Sequence, residues 1–334
     1  MNWIIILPLL IGFIVTFTIL PAWIKRAKHA GLEGRDMQKS KKRMVAEVGG
    51  VGVLAGFMIS IFVYVAIKTF YFNSTDNLID IFALSTAIMM MAFIGLIDDI
   101  LGWKIGLGKK LRIFLVLVAA IPFIAIKSGQ ENIVGMVSDG MGLGIFYPLI
   151  IVPIGIVGAT TTFNMLAGYN GLEASQGALI IGALSLLAYG KGITWLAFLG
   201  VCMVLCLLAF LYYNRFPAKI FPGDSLTYPV GAMIALMAIL GGLEWIAVFF
   251  FIPYILEVIL KLRAGIKLDK ESFAKPNSDD SLELPYKKVY GLEHFSLWFL
   301  KKVKPSHKVY EKDIVYFINS MQIVIIIIGM IIFV

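Results

Sequence analysis

Between Asp80 and Asp98 the chain runs through Ile81-Phe82-Ala83-Leu84-Ser85-Thr86-Ala87-Ile88-Met89-Met90-Met91-Ala92 to Gly95-Leu96-Ile97 without a single charge. A run of about 20 such residues is long enough to cross the hydrocarbon of a bilayer. Inside lipid every backbone N–H and C=O must be satisfied within the segment, so the run is committed to helix. It closes on two adjacent carboxylates, Asp98-Asp99, which are expensive to hold at the mouth of a membrane helix. By themselves they read either as solvated end caps or as members of a functional site.

Similar runs occupy 3–24, 48–71, 80–98, 112–127, 143–163, 172–190, 194–213, 227–242, 244–262 and 313–334, which predicts about ten spans. Hydrophobic residues are 60% of the 334 and charged residues 15%, where soluble domains run at about 45–50% and 25%. The expectation is an all-α polytopic membrane protein, a single integral-membrane domain over 1–334 with no separate soluble domain. The N-terminal run lacks a basic leader and a small-residue cleavage site, so it reads as a permanent first span. Cys202 and Cys206, four apart in one apolar run, read as packing residues.

Of the 29 basic residues, 26 fall in 25–47, the loop after Asp99, 214–226 and 261–312; only Lys68, Lys127 and Lys191 lie in the alternate loops. The positive-inside rule makes the basic face cytoplasmic and puts both termini outside. The net charge of +8 is thereby explained without nucleic acid.

Two look-alikes carry no weight. Gly50-Val51-Gly52-Val53-Leu54-Ala55 matches a dinucleotide fingerprint but opens a membrane span with no strand before it. Gly52 and Gly56 read instead as a small-residue face for close helix packing. Gly106-Leu107-Gly108-Lys109-Lys110 lacks the spacing and hydroxyl of a P-loop, although its lysines suit phosphate as point charges as well as they suit a positive-inside loop.

The remaining polar residues gather in four clusters on the basic face: Arg35 to Lys39 leading to Glu47, Asp98-Asp99, Asn164 to Gln176, and Tyr213 to Ser225. Asn164, Asn170, Gly171 and Glu173 combine neutral oxygen ligands and sharp turns; an ordinary Asn-Gly helix connection is the plain alternative. Asp224 reads equally as an N-cap or as a metal carboxylate. Carboxylates, amides and lysines converging at a bundle mouth suit Mg²⁺ with phosphates. His29, His294 and His307 are scattered, which argues against zinc. An ion-coupled transporter is the competing class, disfavoured because the polar clusters share one face rather than the bilayer midplane.

The motifs Asp98-Asp99 after Gly95-Leu96-Ile97, Asn164-Met165-Leu166-Ala167-Gly168-Tyr169-Asn170-Gly171-Leu172-Glu173-Ala174, and Phe221-Pro222-Gly223-Asp224 resemble the polyprenyl-phosphate N-acetylhexosamine-1-phosphate transferases, glycosyltransferase family 4. The likeness covers nearly the whole chain and is nearest to the eukaryotic-type dolichyl-phosphate GlcNAc-1-phosphotransferases, with Ala167 and Asn170 where bacterial members usually carry Asp. Segment 263–284 departs from the family's His- or Arg-rich loop and offers Arg263, Lys267, Lys270 and Lys275 instead; a eukaryotic-like core without that loop suggests an archaeal source.

The resemblance implies transfer of a HexNAc-1-phosphate, GlcNAc-1-phosphate above all, from a UDP-sugar to dolichyl or polyprenyl phosphate, for N-glycan or another surface-glycan synthesis. It implies a multi-pass cell-membrane protein with a cytoplasmic site, membrane lipids as surroundings and a homodimer as its self-association. Mg²⁺, with Mn²⁺ as substitute, is the implied cofactor, held by Asp224 and Asn164. Asn170 and Gly171 line the uridine end. Lys39 and Lys109 or Lys110 neutralise phosphate. Asp98 or Asp99 orients the acceptor phosphate or takes its proton, with a covalent aspartyl-phosphate as the competing route. Glu47, Glu173, Arg263 and Lys275 complete the substrate-binding set. Within the loop 263–312, residues 285–304 read as an amphipathic helix, lying at the membrane interface or packed on the rim.

Overall fold

The computed structural model describes residues 3–126, 146–263 and 273–333. After a short turn at Trp3–Ile5, α1 (Ile6–His29) ends in Arg26, Lys28 and His29, cations that suit the negative end of a helix. A small antiparallel hairpin of β1 (Glu33–Arg35) and β2 (Met44–Ala46) follows, with Glu33 opposite Ala46. Next come α2 (Gly50–Ala66), continued by a wide turn to Tyr71, and α3 (Leu78–Ile105), which breaks at Gly102. Gly102 has φ 73°, a conformation that side chains with a Cβ rarely adopt.

The chain continues through α4 (Lys109–Ala119), α5 (Ile121–Ala125), α6 (Val152–Phe163), α7 (Leu172–Gly190), α8 (Thr194–Asn214) and α9 (Asp224–Gly241). Then α10 (Glu244–Phe250) and α11 (Ile252–Leu262) form a pair bent by 57°. A second hairpin pairs β3 (Lys275–Pro276) with β4 (Leu282–Glu283), and α12 (Leu292–Val303) and α13 (Glu311–Phe333) close the chain.

Among the described residues, seven helices are long and apolar enough to cross a membrane, or eight if the bent pair is one span. The expected runs 112–127 and 143–163 correspond to shorter helices: α4 with α5, and the segment Tyr147–Phe163; parts of both runs lie outside the described residues. The chain is thus a helical polytopic membrane protein.

Burial sets the order of the bundle. In α9, 89% of the apolar window is buried, against 22% in the first helix and 28% in α13. Helix α9 is therefore the axis, packed against α2, α3, α6 and α7, while α1 and α13 form the perimeter. Lipid is as apolar as leucine, so helix contacts here depend on close packing of small residues. The expected small-residue face exists: a Cβ on Gly52 would strike Leu20, and one on Gly56 would strike Thr16. Similarly, Gly95 of α3 and Gly50 of α2 lie against the backbone of Asp224 and Ser225, leaving no room for a Cβ. These two contacts fix the start of α9 between α2 and α3.

Candidate active site

Helix α9 opens without a capping side chain of its own, because Gly223 precedes it at φ 70°. The first N–H groups of a helix need acceptors. Asp99 supplies them from α3: Oδ1 accepts the Asp224 N–H at 2.7 Å and Oδ2 the Ser225 N–H at 3.0 Å. A Cβ on Gly223 would collide with this carboxylate. Asp99 thus performs an N-cap across two helices, and the orientation of Asp224 depends on it.

Asp98 faces the other way. Its Oδ1 accepts the Leu107 N–H at 2.5 Å and its Oδ2 meets Arg112 Nη2 at 2.6 Å. Arg112 Nη1 lies 3.7 Å from Asp224 Oδ2. The Tyr228 hydroxyl, one turn into α9, lies beside both Arg112 and Asp224. Gly106 allows the loop to fold over Asp98, since a Cβ there would crowd Asp98 Oδ1. Asn164, at the end of α6, accepts through Oδ1 from the Thr227 hydroxyl at 3.0 Å, which ties it to the first turn of α9. Glu47 stands near enough for its carboxyl to be pushed above its usual range, first by burial and then by the charge of Asp99.

This donor set is hard oxygen throughout: Asp224, Asp98 and the Asn164 amide. Among the described residues no three His, Cys, Asp or Glu side chains form a protein-only metal cage. Mg²⁺ characteristically takes one or two carboxylates and completes its octahedron with water and substrate phosphate. Asp224, on the first turn of α9, and Asn164, at the end of α6 and tied to that turn through Thr227, fit that kind of site.

A second cluster lies in the Asn164–Gly171 connection. Asn170 donates its backbone N–H to Glu311 Oε1 at 2.7 Å, and its Nδ2 to Asp36 Oδ2 at 3.3 Å and Glu311 Oε2 at 3.4 Å. Lys39 is buried, paired with Glu311 and stacked 4.3 Å from the Phe216 ring. The structure therefore places Lys39 on Glu311 and the Asn170 loop, and brings it to no carboxylate of the Asp98–Asp224 cluster. Glu173 Oε1 accepts the Gly168 N–H at 2.7 Å and holds the turn in which Gly168 and Gly171 take positive φ. Burial drives the Tyr169 phenol well above its usual range.

The remaining cations are dispersed. Lys110 is exposed on α4; the Lys109 side chain lies outside the described residues, as do Lys267 and Lys270. Arg263 is exposed just after α11, and Lys275 is exposed in β3. Within 285–304 the helix is α12, with Leu292, Glu293, His294, Ser296 and Leu297 buried and Trp298 and Val303 exposed.

Sequence reasoning missed Arg112, Tyr228, Thr227 and Glu311 as site residues. Arg112 had counted as one more positive-inside charge. Glu311 offered a faint signal, an acid at the threshold of the last apolar run.

The family model for glycosyl transferase family 4 matches residues 81–242, which include Asp98, Asp99, Asn164, Asn170 and Asp224. A Saccharolobus solfataricus protein, provisionally named UDP-N-acetylglucosamine–dolichyl-phosphate N-acetylglucosaminephosphotransferase, is 34% identical over 83% of this chain and 83% of its own. The Dictyostelium discoideum protein of that name is 25% identical over 78% of this chain and 72% of its own. A phospho-N-acetylmuramoyl-pentapeptide-transferase of Halalkalibacterium halodurans is 25% identical over 77% and 81%. With motifs, helical bundle and relatives in agreement, the chain belongs to glycosyl transferase family 4.

Proposed function

We propose that the protein transfers GlcNAc-1-phosphate from UDP-GlcNAc to dolichyl or another polyprenyl phosphate on the cytoplasmic face of the membrane. The observation that carries the reading is the junction at the start of α9, where Arg112 is bonded to Asp98 at 2.6 Å and stands 3.7 Å from Asp224, with Asn164 tied to the same turn through Thr227. The names of its relatives point to the same donor and acceptor.

In the reaction an oxygen of the acceptor phosphate attacks the β-phosphorus of the donor. A new P–O–P bridge forms, the bridge between the α- and β-phosphorus breaks, and UMP leaves with the bonding electrons. A phosphate monoester has its second pKa near 6, so the attacking oxygen is largely deprotonated at neutral pH and needs little help from a base. Positioning and charge neutralisation are the main tasks, as in phosphoryl transfer generally. Mg²⁺, or Mn²⁺ in its place, neutralises the donor diphosphate when bound, and Asp224 with Asn164 would hold it.

Asp99 spends both oxygens on the N–H groups of α9, which suits a carboxylate that orients Asp224. Asp98 likewise has a partner on each oxygen. These contacts favour direct attack over an aspartyl-phosphate, and inversion at the transferred phosphorus is the expected stereochemistry; retention would overturn it. Asn170, Gly171 and Glu173 form the nucleoside end of the cleft, with Asp36 and Glu311 holding Asn170 from behind.

The test is to incubate purified protein with Mg²⁺, dolichyl phosphate and a panel of UDP-sugars, and to measure UMP release. UDP-GlcNAc should be the best donor. No release with any UDP-HexNAc would sink the proposal.

A further inference from the structure

Arg112 is the one cation seen in contact with the carboxylate cluster among the described residues, and its contacts have a direction. Asp98 takes an Nη2 hydrogen at 2.6 Å, the Tyr228 hydroxyl lies beside the guanidinium, and Asp224 stands 3.7 Å from Nη1. A guanidinium carries five N–H donors in a planar fork. The Nε–H of Arg112 is buried and has no acceptor, although the side chain is 29% exposed and so open to solvent on one side. A buried donor without an acceptor is costly, and it sits in the group best shaped to grip a phosphate through two parallel hydrogen bonds.

The surroundings favour one source of that phosphate. Leu111, Ile113 and Phe114, the neighbours of Arg112 on α4, are exposed, as are Phe93 and Ile100 on α3. In a membrane protein such a wall faces lipid. A phosphate on Arg112 therefore has apolar surface beside it along which a hydrocarbon tail can lie.

We propose that Arg112 is a phosphate-binding residue of this site, held in place by Asp98 and Tyr228, and that it takes the phosphate of the lipid acceptor. Asp98 acts through Arg112 as a positioning residue: it fixes the guanidinium plane with one oxygen while its other oxygen holds the loop at Leu107. The inference rests on the transferase reading above and assigns the acceptor end of the same cleft.

Two measurements on the full-length protein test it. In UMP-release kinetics with a short-chain polyprenyl phosphate, Arg112→Gln should raise the acceptor KM by about tenfold or more, the loss of one good charged contact. The KM for UDP-GlcNAc should stay within about twofold, and Arg112→Lys should recover part of the loss. A rise in the donor KM instead would assign the phosphate to the nucleotide and overturn the acceptor assignment. A drop in thermal stability with both KM values unchanged would make Arg112 merely structural and overturn the proposal altogether.

The second measurement uses wild-type protein and so survives a variant that does not fold. Phenylglyoxal modification of Arg112, followed by mass spectrometry, should be slowed by polyprenyl phosphate and left unchanged by the matching polyprenol. Equal modification in both would overturn the proposal. Absence of UMP release from wild-type protein would count against the transferase reading, whereas this protection experiment would still report on Arg112.

Discussion

Asp98 and Asp99 are neighbours with different work, because successive residues on a helix point about 100° apart. Asp99 reaches α9 and Asp98 reaches Arg112. Asp224→Ala should lower Mg²⁺-dependent UMP release by a factor of about 10² or more, given several kcal/mol of metal stabilisation; near-normal turnover in folded protein would remove Asp224 from the metal site. Lys39 makes a separate prediction. It is buried against Glu311, so Glu311→Gln strands a buried ammonium and should cost about 3–5 kcal/mol in denaturant unfolding. Replacing both partners, Lys39→Met with Glu311→Leu, should recover part of that stability, the rest being lost with the acceptor of the buried Asn170 N–H, but not the affinity for UMP, because Asn170 loses its support. If the double variant binds UMP as wild type does, Glu311 has no role in holding the nucleoside end.

At the scale of elements, the close approach of α3 to α9 is what aligns the site. Gly95→Ala puts a methyl group into the backbone of Asp224 and should cost about 1–3 kcal/mol by overpacking, with turnover falling further than stability because Asp224 itself is displaced. Thermal unfolding in detergent and UMP release on the same sample check the two effects. Much of this level was legible in the sequence. The apolar runs located the helices, and Gly52 and Gly56 correctly announced close packing. Three things were hidden. The capping role of Asp99 depends on a residue 125 positions away, which no local pattern reveals. Arg112 sits among other basic residues, and only the fold of the Gly106–Gly108 loop separates it from them. Lys39 belongs to a short basic run, yet it alone is drawn inward by Glu311.

For the whole molecule, the hydrophobic chain and the single polar end form one argument. Three of the clusters the sequence singled out lie at helix ends that meet, at the start of α9, towards the end of α3 and between α6 and α7, and the fourth, Arg35 to Glu47, sits on the β1–β2 hairpin that reaches Asn170 and the start of α13. The run near 112–127 was harder to read, because α4 and α5 together are too short and too interrupted to repeat the pattern of the long helices. The orientation makes its own prediction. With Cys202 and Cys206 replaced by Ala, a membrane-impermeant maleimide should label Thr75→Cys in intact cells and Lys41→Cys only after permeabilisation, both positions being exposed. The reverse pattern would place the site outside.

The cap that Asp99 lends to α9 also bears on biogenesis. While the chain is being inserted, α3 enters the membrane long before α9, and neither half of the junction is complete alone. The carboxylates acquire their final geometry only when the ninth helix has docked against the third. A truncated or half-inserted chain therefore carries all the residues of its first motif and none of the activity, so that phosphotransfer itself reports that assembly in the bilayer has finished.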